Sequence, residues 1–376
     1  MIIKNKFNKT KIIFGNNTRS YLSKLIKKKI ILIVCSKRTR NEILQDKKLN
    51  FIKNNKVFWV DDVLPNPALD YLEKKNKFFK KRNFDYIVAI GGGSVIDSAK
   101  ALSLLFSLKK KTIKTVIENI DNLKINKFYK LIVLPTTSGT GSEVTPYSTI
   151  WDKKNKKKLS INHKSLLPTL AIVDPVLTHT LPKELTINTS LDALNQAFES
   201  IWNKNKNNDI LTYAFKSIKL SLSALAKINN NINDKKSRLK LARASLYAGI
   251  CIGQTRTSIC HSISYPLTSY LNVPHGLACA FSMLAVINYI NKKNNFFFIK
   301  LINALGLASF KAFEKKIKKL FYDLKIKEKN KLYIKNKHQL FLLKQYMQTL
   351  GRSDNFIYPI NKNFLEFVLK KSFKNN

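Results

Sequence analysis

Three stretches of this chain carry residues whose types and spacing could do chemistry. In the first, Asp85-Tyr-Ile-Val-Ala-Ile-Gly-Gly-Gly-Ser-Val-Ile-Asp-Ser-Ala-Lys100, a short apolar run from Tyr86 to Ile90 passes through Gly91, Gly92 and Gly93 into a helix-like pattern from Ser94. A strand that turns through glycine into a helix N-terminus presents backbone N–H groups and the positive end of a helix dipole, which suits a diphosphate. Glycine lets such a ligand touch the backbone because no Cβ stands in the way. Of the chain's 11 glycines, five fall in this loop and in a second stretch, Thr136-Thr-Ser-Gly-Thr-Gly-Ser-Glu143, which marks both as working loops. A plain tight turn is the competing reading of the first loop alone. In the third stretch, Asp192 and Gln196 stand four apart and share one face of a predicted helix. His261 lies within another helical pattern, and His275 follows 14 residues later, just before Gly276. A carboxylate, an amide oxygen and two imidazoles in one pocket could hold a divalent transition metal, with a buried core histidine as the competing reading of either imidazole.

Two halves must position these residues. In the first, apolar β-branched runs at Ile30–Val34, Val57–Val60, Tyr86–Ile90, Leu131–Leu134 and Ala171–Val173 read as buried parallel strands. Amphipathic segments such as Leu69–Lys81 and Val95–Leu108 lie between them, an alternation that predicts a doubly wound sheet with ligands at the carboxyl ends of its strands. Ser148–Asp152 and Lys157–Ile161, joined by Lys153-Lys-Asn-Lys156, form a predicted hairpin flap. After Pro182 the apolar spacing turns helical, over Leu191–Trp202, Ile210–Ile228, Leu239–Ile252, Thr257–Tyr270 and Leu277–Ile290. The predicted division is 1–180 and 181–376, the second part all-helical and its last ninety or so residues lysine-rich with little functional signal.

Lys and Arg number 68 against 23 Asp and Glu, a net charge of +45 that would ordinarily favour nucleic acid or an anionic membrane as partner. The lysines are scattered among Asn, Ile and Phe rather than gathered in a stripe or tail, which fits a coding bias and argues against both partners. Cys35, Cys251, Cys260 and Cys279 form no C-x-x-C pair and read as core thiols in a reducing compartment. The basic start lacks the apolar run of a signal peptide, and no run of 18 apolar residues exists to span a membrane. The expectation is a soluble cytoplasmic protein.

The chain resembles the iron-containing, group III alcohol dehydrogenases from about residue 10 to 290. Gly91-Gly-Gly-Ser-Val-Ile-Asp-Ser-Ala-Lys100 looks like the family's diphosphate loop, and Leu134-Pro-Thr-Thr-Ser-Gly-Thr-Gly-Ser-Glu-Val-Thr145 like its second cofactor loop. Asp62-Val-Leu-Pro-Asn-Pro67, Ala171-Ile-Val-Asp-Pro175, Asp192-Ala-Leu-x-x-Ala-x-Glu199 and Pro274-His-Gly276 follow as further landmarks in order. The resemblance implies an α/β, Rossmann-like N-terminal domain with a parallel sheet and an all-α C-terminal domain, a dehydroquinate synthase-like architecture, with NAD(P) and a divalent metal in the cleft between them. It implies that Gly91, Gly92, Gly93, Ser94 and Asp97 lie along the diphosphate. Thr136, Thr137 and Thr140 would line the cofactor groove, with Lys158 near the cofactor. Asp192, Gln196, His261 and His275 would take the four metal-ligand positions. It implies a homodimer as well.

Three positions depart from the family pattern. Gln196 replaces a usual histidine ligand, and its neutral amide oxygen weakens an Fe²⁺ or Zn²⁺ site, leaving a metal-free enzyme open. Tyr265 stands where many members carry a proton-relaying histidine, and is the poorer relay near neutrality. Ser36 ends the strand Ile31–Cys35 where NAD-preferring members often carry Asp; with Lys37 and Arg38 beside it, both NAD and NADP stay open. Gln196, Glu199-Ser-Ile-Trp-Asn203 and His261-Ser-Ile-Ser-Tyr-Pro-Leu-Thr268 resemble the phosphonoacetaldehyde reductase branch, for which Arg256, on the helical segment of His261, would meet the anionic substrate. The favoured function is NAD(P)H-dependent reduction of an aldehyde, phosphonoacetaldehyde first. A general short-chain alcohol dehydrogenase is the alternative within the class; an inactive relative or a basic nucleic-acid binder lies outside it.

Overall fold

The computed structural model describes every residue except 4, 109, 110, 124, 126, 127, 156 and 376. It divides into two compact units, Met1–Thr180 and Leu181–Asn376. In the first, strands β1 (Ile2–Ile3), β2 (Lys11–Phe14), β3 (Ile30–Val34), β4 (Lys56–Val60), β5 (Tyr86–Gly91) and β6 (Lys130–Pro135) precede a hairpin of β7 (Tyr147–Asp152) and β8 (Lys157–Asn162), and β9 (Leu170–Val173) follows. Seven of these form one sheet in the order β1-β2-β9-β6-β5-β3-β4. It is parallel except where β1 meets β2. Ile31–Val34 and Ile87–Ile90 are fully buried, the reason both read as unbroken apolar runs. Helices α1 (Tyr21–Leu25), α2 (Lys37–Gln45), α3 (Leu69–Phe79), α4 (Gly93–Leu108) and α5 (Ile113–Asn119) connect them.

β5 and β6 run side by side and end together, Gly91 opposite Pro135, so both glycine-bearing loops leave neighbouring strands at their carboxyl ends. The predicted hairpin forms; residue 156 of its connection lies outside the described residues. The strand β2 was not read from the sequence, being only Lys-Ile-Ile-Phe after a lysine-rich start. It is held against β9 by Asp174, whose carboxylate accepts from the backbone N–H of Asn17 and Arg19 and from the Arg19 guanidinium.

The second unit is built of helices: α6 (Lys183–Ile201), α7 (Asn208–Asn230), α8 (Lys235–Thr255), α9 (Ile259–Leu271) and α10 (His275–Lys293), then shorter ones and Phe310–Asp323 and Lys362–Asn375. α6 is the central helix, buried without a break from Ser190 to Ile201. Asp192, Gln196 and Glu199 are therefore carried into the interior rather than onto a polar face. Arg256 ends α8 with φ 60° and ψ 177°, a conformation rare outside glycine that costs about 1–3 kcal/mol. This break corrects the sequence reading: Arg256 caps α8 and is not on the helix of His261, which starts only at Ile259. No helix among the described residues is long and apolar enough to cross a membrane.

Candidate active site

The two glycine loops of the first unit interlock. A Cβ added at Gly93 would lie 2.6 Å from Thr140 Cγ2, and one at Gly92 would lie 3.1 Å from Thr137 Cγ2. Both threonines thus sit directly on the glycine turn, and Thr136 N–H donates to Gly91 O at 3.0 Å. Beneath the loops, Asp97 accepts from Ser142 Oγ at 2.6 Å and from Thr149 N–H at 3.0 Å. Its carboxylate ties the second loop to β7, a structural task the sequence reading did not assign. Lys158, half-buried on β8, is close enough to bias that carboxylate. Ser94 Oγ accepts from Asn66 N–H. Ser36 caps α2 by accepting from Thr39 N–H, and the Arg38 guanidinium is engaged by Glu42 and Thr180 O. Backbone at a helix start, open to approach through glycine and flanked by threonine hydroxyls, suits a dinucleotide diphosphate.

Lys100 is fully buried and donates to Ser142 Oγ, Thr145 O and Oγ1, and Tyr147 O. Burial lowers its ammonium to about 8 against the pull of Asp97 and Glu143. Burial likewise raises the Glu143 carboxyl to about 7, outweighing a backbone hydrogen bond and the charge of Lys100. A carboxyl raised on folding holds more protons in the native than in the unfolded chain between the two values. The stability it contributes is therefore full below about 4.5 and is lost as pH climbs to about 7. We expect this slope to amount to at most about 3 kcal/mol, and Glu143→Gln to flatten it. Urea unfolding at pH ~5 and ~7.5 measures it; an unchanged slope in the variant would assign the effect elsewhere.

In the second unit, α6, α9 and α10 bring Asp192, His261 and His275 together with Cys279, which reads from the sequence as a core thiol. The donor atoms of these four lie within 4.8 Å of one another. Glycine makes the meeting possible: a Cβ at Gly276 would stand 1.7 Å from Asn188 O and 3.2 Å from Asp192 N, so α10 starts in backbone contact with α6. His261 Nδ1 lies 2.6 Å from Glu199 Oε2, which fixes the proton on Nδ1 and turns Nε2 toward Asp192 Oδ1 at 3.1 Å. Glu199 also accepts from the N–H groups of Ser258 and His261. It was part of a motif in the sequence, but nothing there gave it this task.

Burial works against a charged His261, yet Cys279, Glu199 and Asp192 together raise its imidazole well above the usual histidine value. Burial alone would raise the Cys279 thiol; His261 and His275 reverse this and bring it down to about 6. Gln196 does join the cluster, but with its nitrogen: Nε2 donates to Asp192 Oδ1 at 3.0 Å, while the buried Oε1 has no hydrogen-bond partner. A carboxylate, two imidazoles, a thiol and an orphaned amide oxygen in one buried pocket are a donor set that suits a divalent metal.

Tyr265 stacks on His275, ring centroids 6.2 Å apart, and its hydroxyl accepts from Arg352 Nε at 3.1 Å. Gly351, next in the chain to Arg352, places its Cβ direction 3.6 Å from a guanidinium nitrogen of Arg256. Ser262 anchors this segment to α9, donating to Met347 O and accepting from Thr349 N–H. The carboxyl-terminal region, read as carrying little signal, thus supplies an arginine beside the metal pocket.

The family model for iron-containing alcohol dehydrogenase matches residues 9–175, and that for the Fe-containing alcohol dehydrogenase family, C-terminal, matches residues 186–369. The chain belongs to the iron-containing alcohol dehydrogenase family. Membership extends through the lysine-rich tail, beyond the span over which the motifs could be read. Among relatives, the NADPH-dependent butanol dehydrogenase of Clostridium saccharobutylicum is 28% identical over 79% of this chain and 76% of its own length. The phosphonoacetaldehyde reductase of Streptomyces viridochromogenes is 33% identical over 54% of this chain and 53% of its own length. A sulfoacetaldehyde reductase from Bifidobacterium kashiwanohense, solved in complex with NAD⁺, superposes with a TM-score of 0.87 at 24% identity, covering 100% of both chains. As an iron-containing alcohol dehydrogenase the protein is an NAD(P)-dependent oxidoreductase acting on alcohols and aldehydes, and its family uses a divalent metal.

Proposed function

We propose that the protein reduces an aldehyde bearing an anionic group, with phosphonoacetaldehyde the favoured substrate, at the expense of NADH or NADPH. The observation that carries the reading is a pair of arginines: Arg352, bonded to Tyr265, whose ring stacks on His275, and Arg256, whose guanidinium reaches Gly351. Charge-assisted hydrogen bonds from guanidinium forks are the usual means of holding a phosphonate or sulfonate. Arg256 is kept in its costly backbone conformation by Thr255 Oγ1 and Asn203 Nδ2, both of which donate to its carbonyl oxygen. Strain maintained in this way marks a residue held for a task. The phosphonoacetaldehyde reductase and sulfoacetaldehyde reductase relatives support an anionic aldehyde.

The interlocked loops would hold the diphosphate of the cofactor, whose nicotinamide supplies the hydride. Asp192, His261 and His275 would hold a divalent metal, which supplies Lewis-acid stabilisation of the negative charge developing on the carbonyl oxygen. Glu199 keeps His261 in the tautomer that presents Nε2. Tyr265 Oη, oriented by Arg352 and stacked on His275, holds the proton that the nascent alcohol requires.

Steady-state kinetics with phosphonoacetaldehyde and propanal test the proposal. The unsubstituted protein is expected to prefer the phosphonate. Arg352→Ala is expected to lower kcat/KM on it by ~10–100-fold, the loss of one hydrogen bond to a charged group, and to change propanal turnover far less. An equal loss on both aldehydes would mean that Arg352 only steadies Tyr265, and would leave a general alcohol dehydrogenase.

A further inference from the structure

We propose that Cys279, rather than Gln196, supplies the fourth protein donor to the metal, so that the pocket is an Asp–His–His–Cys set that selects zinc over ferrous iron. The inference concerns the metal pocket alone and goes beyond the substrate reading. Cys279 lies one helical turn after His275 on α10, so both side chains project from the same face. It is fully buried, and its sulfur stands 3.9 Å from His275 Nε2.

Tetrahedral zinc with bonds of about 2.3 Å to sulfur and 2.0–2.1 Å to nitrogen or oxygen would place sulfur and nitrogen about 3.6 Å apart, and nitrogen and oxygen about 3.3 Å apart. The observed separations are 3.9 Å for Cys279 and His275 and 3.1 Å for His261 Nε2 and Asp192 Oδ1. Two edges of the required tetrahedron are therefore present to within a few tenths of an ångström. Gln196 is placed differently: its amide nitrogen donates to Asp192 Oδ1, orienting the carboxylate as an outer partner does, and its buried Oε1 is left without a hydrogen-bond partner.

Charge points the same way. Among the donors themselves, Asp192 and a Cys279 thiolate match the charge of a divalent cation, whereas Asp192 with a neutral amide leaves one positive charge to the Glu199 carboxylate behind His261. On binding, the sulfur–metal bond forms as the S–H bond breaks, and the thiol proton is released to solvent. A soft thiolate favours zinc over iron among hard and borderline donors.

Titration of the chelator-stripped full chain with Co²⁺ tests this without reference to turnover. A thiolate-to-cobalt charge-transfer band in the near ultraviolet is expected in the unsubstituted protein, in Gln196→Ala and in Cys260→Ala, and is expected to vanish in Cys279→Ser. Zn²⁺ affinity should fall in Cys279→Ser by more than the ~10–100-fold that loss of an outer partner costs, and by no more than that in Gln196→Ala. Should Cys279→Ser fail to fold, the unsubstituted, Gln196→Ala and Cys260→Ala spectra still decide. A cobalt complex without the band, or a band lost in Cys260→Ala or retained in Cys279→Ser, would overturn the proposal.

Discussion

Gly276→Ala should strip the metal pocket of its geometry although every donor residue is kept. The added methyl would sit 1.7 Å from Asn188 O, far inside contact, and both that oxygen and Gly276 belong to helix backbone. Neither partner has a flexible end to swing away, so α10 must move off α6 by about 1 Å or more. Overpacking of this kind costs ~1–3 kcal/mol, and this contact lies at the upper end. Because His275 is the preceding residue, the same shift carries its ring away from Asp192. Loss of turnover by ~10²-fold is expected from a misplacement of that size. Metal content after dialysis and urea unfolding are the measurements. A variant that keeps its metal and its stability would show that α10 and α6 can slide freely despite the contact of Gly276 with Asn188 O.

Glu199→Ala is the second substitution with a large expected effect. Its carboxylate is fully buried and accepts from His261 Nδ1 at 2.6 Å, His261 N–H at 3.0 Å and Ser258 N–H at 2.8 Å. Truncation leaves three buried donors without their acceptor, and a loss of ~3–5 kcal/mol follows. It also frees the ring of His261 to rotate or change tautomer, for which ~10–100-fold weaker metal binding is expected. Glu199→Gln separates the two effects. It keeps the volume and one acceptor, so stability should recover in part while metal affinity stays low. Equal recovery of both would reduce Glu199 to a packing residue.

The fold was legible because its buried strands are short, β-branched and punctuated by scarce glycine. Tyr86–Ile90 and Leu131–Leu134 each end within one residue of their observed strands. β2 was not legible, since four residues without alternation give no period to detect. In the site, Asp192, His261 and His275 could be placed by type and order. Cys279 could not, because an apolar helix with a thiol at helical spacing from core positions looks like any buried cysteine. Its i, i+4 relation to His275 was the one available signal. Arg352 lay 87 residues from Tyr265, its hydrogen-bond partner, and no local pattern links them. The start of α9 was misplaced by two residues because the break at Arg256 depends on a backbone conformation that side-chain pattern does not encode.

The seating of Thr137 on Gly92 and Thr140 on Gly93 has an evolutionary consequence. A methyl at Gly93 is tolerable only where Thr140 has first become smaller, and one at Gly92 requires Thr137 to give by a few tenths of an ångström. The two loops are therefore one heritable unit although more than forty residues separate them. Libraries that vary Gly93 without varying Thr140 will therefore sample mostly strained pairs at that contact.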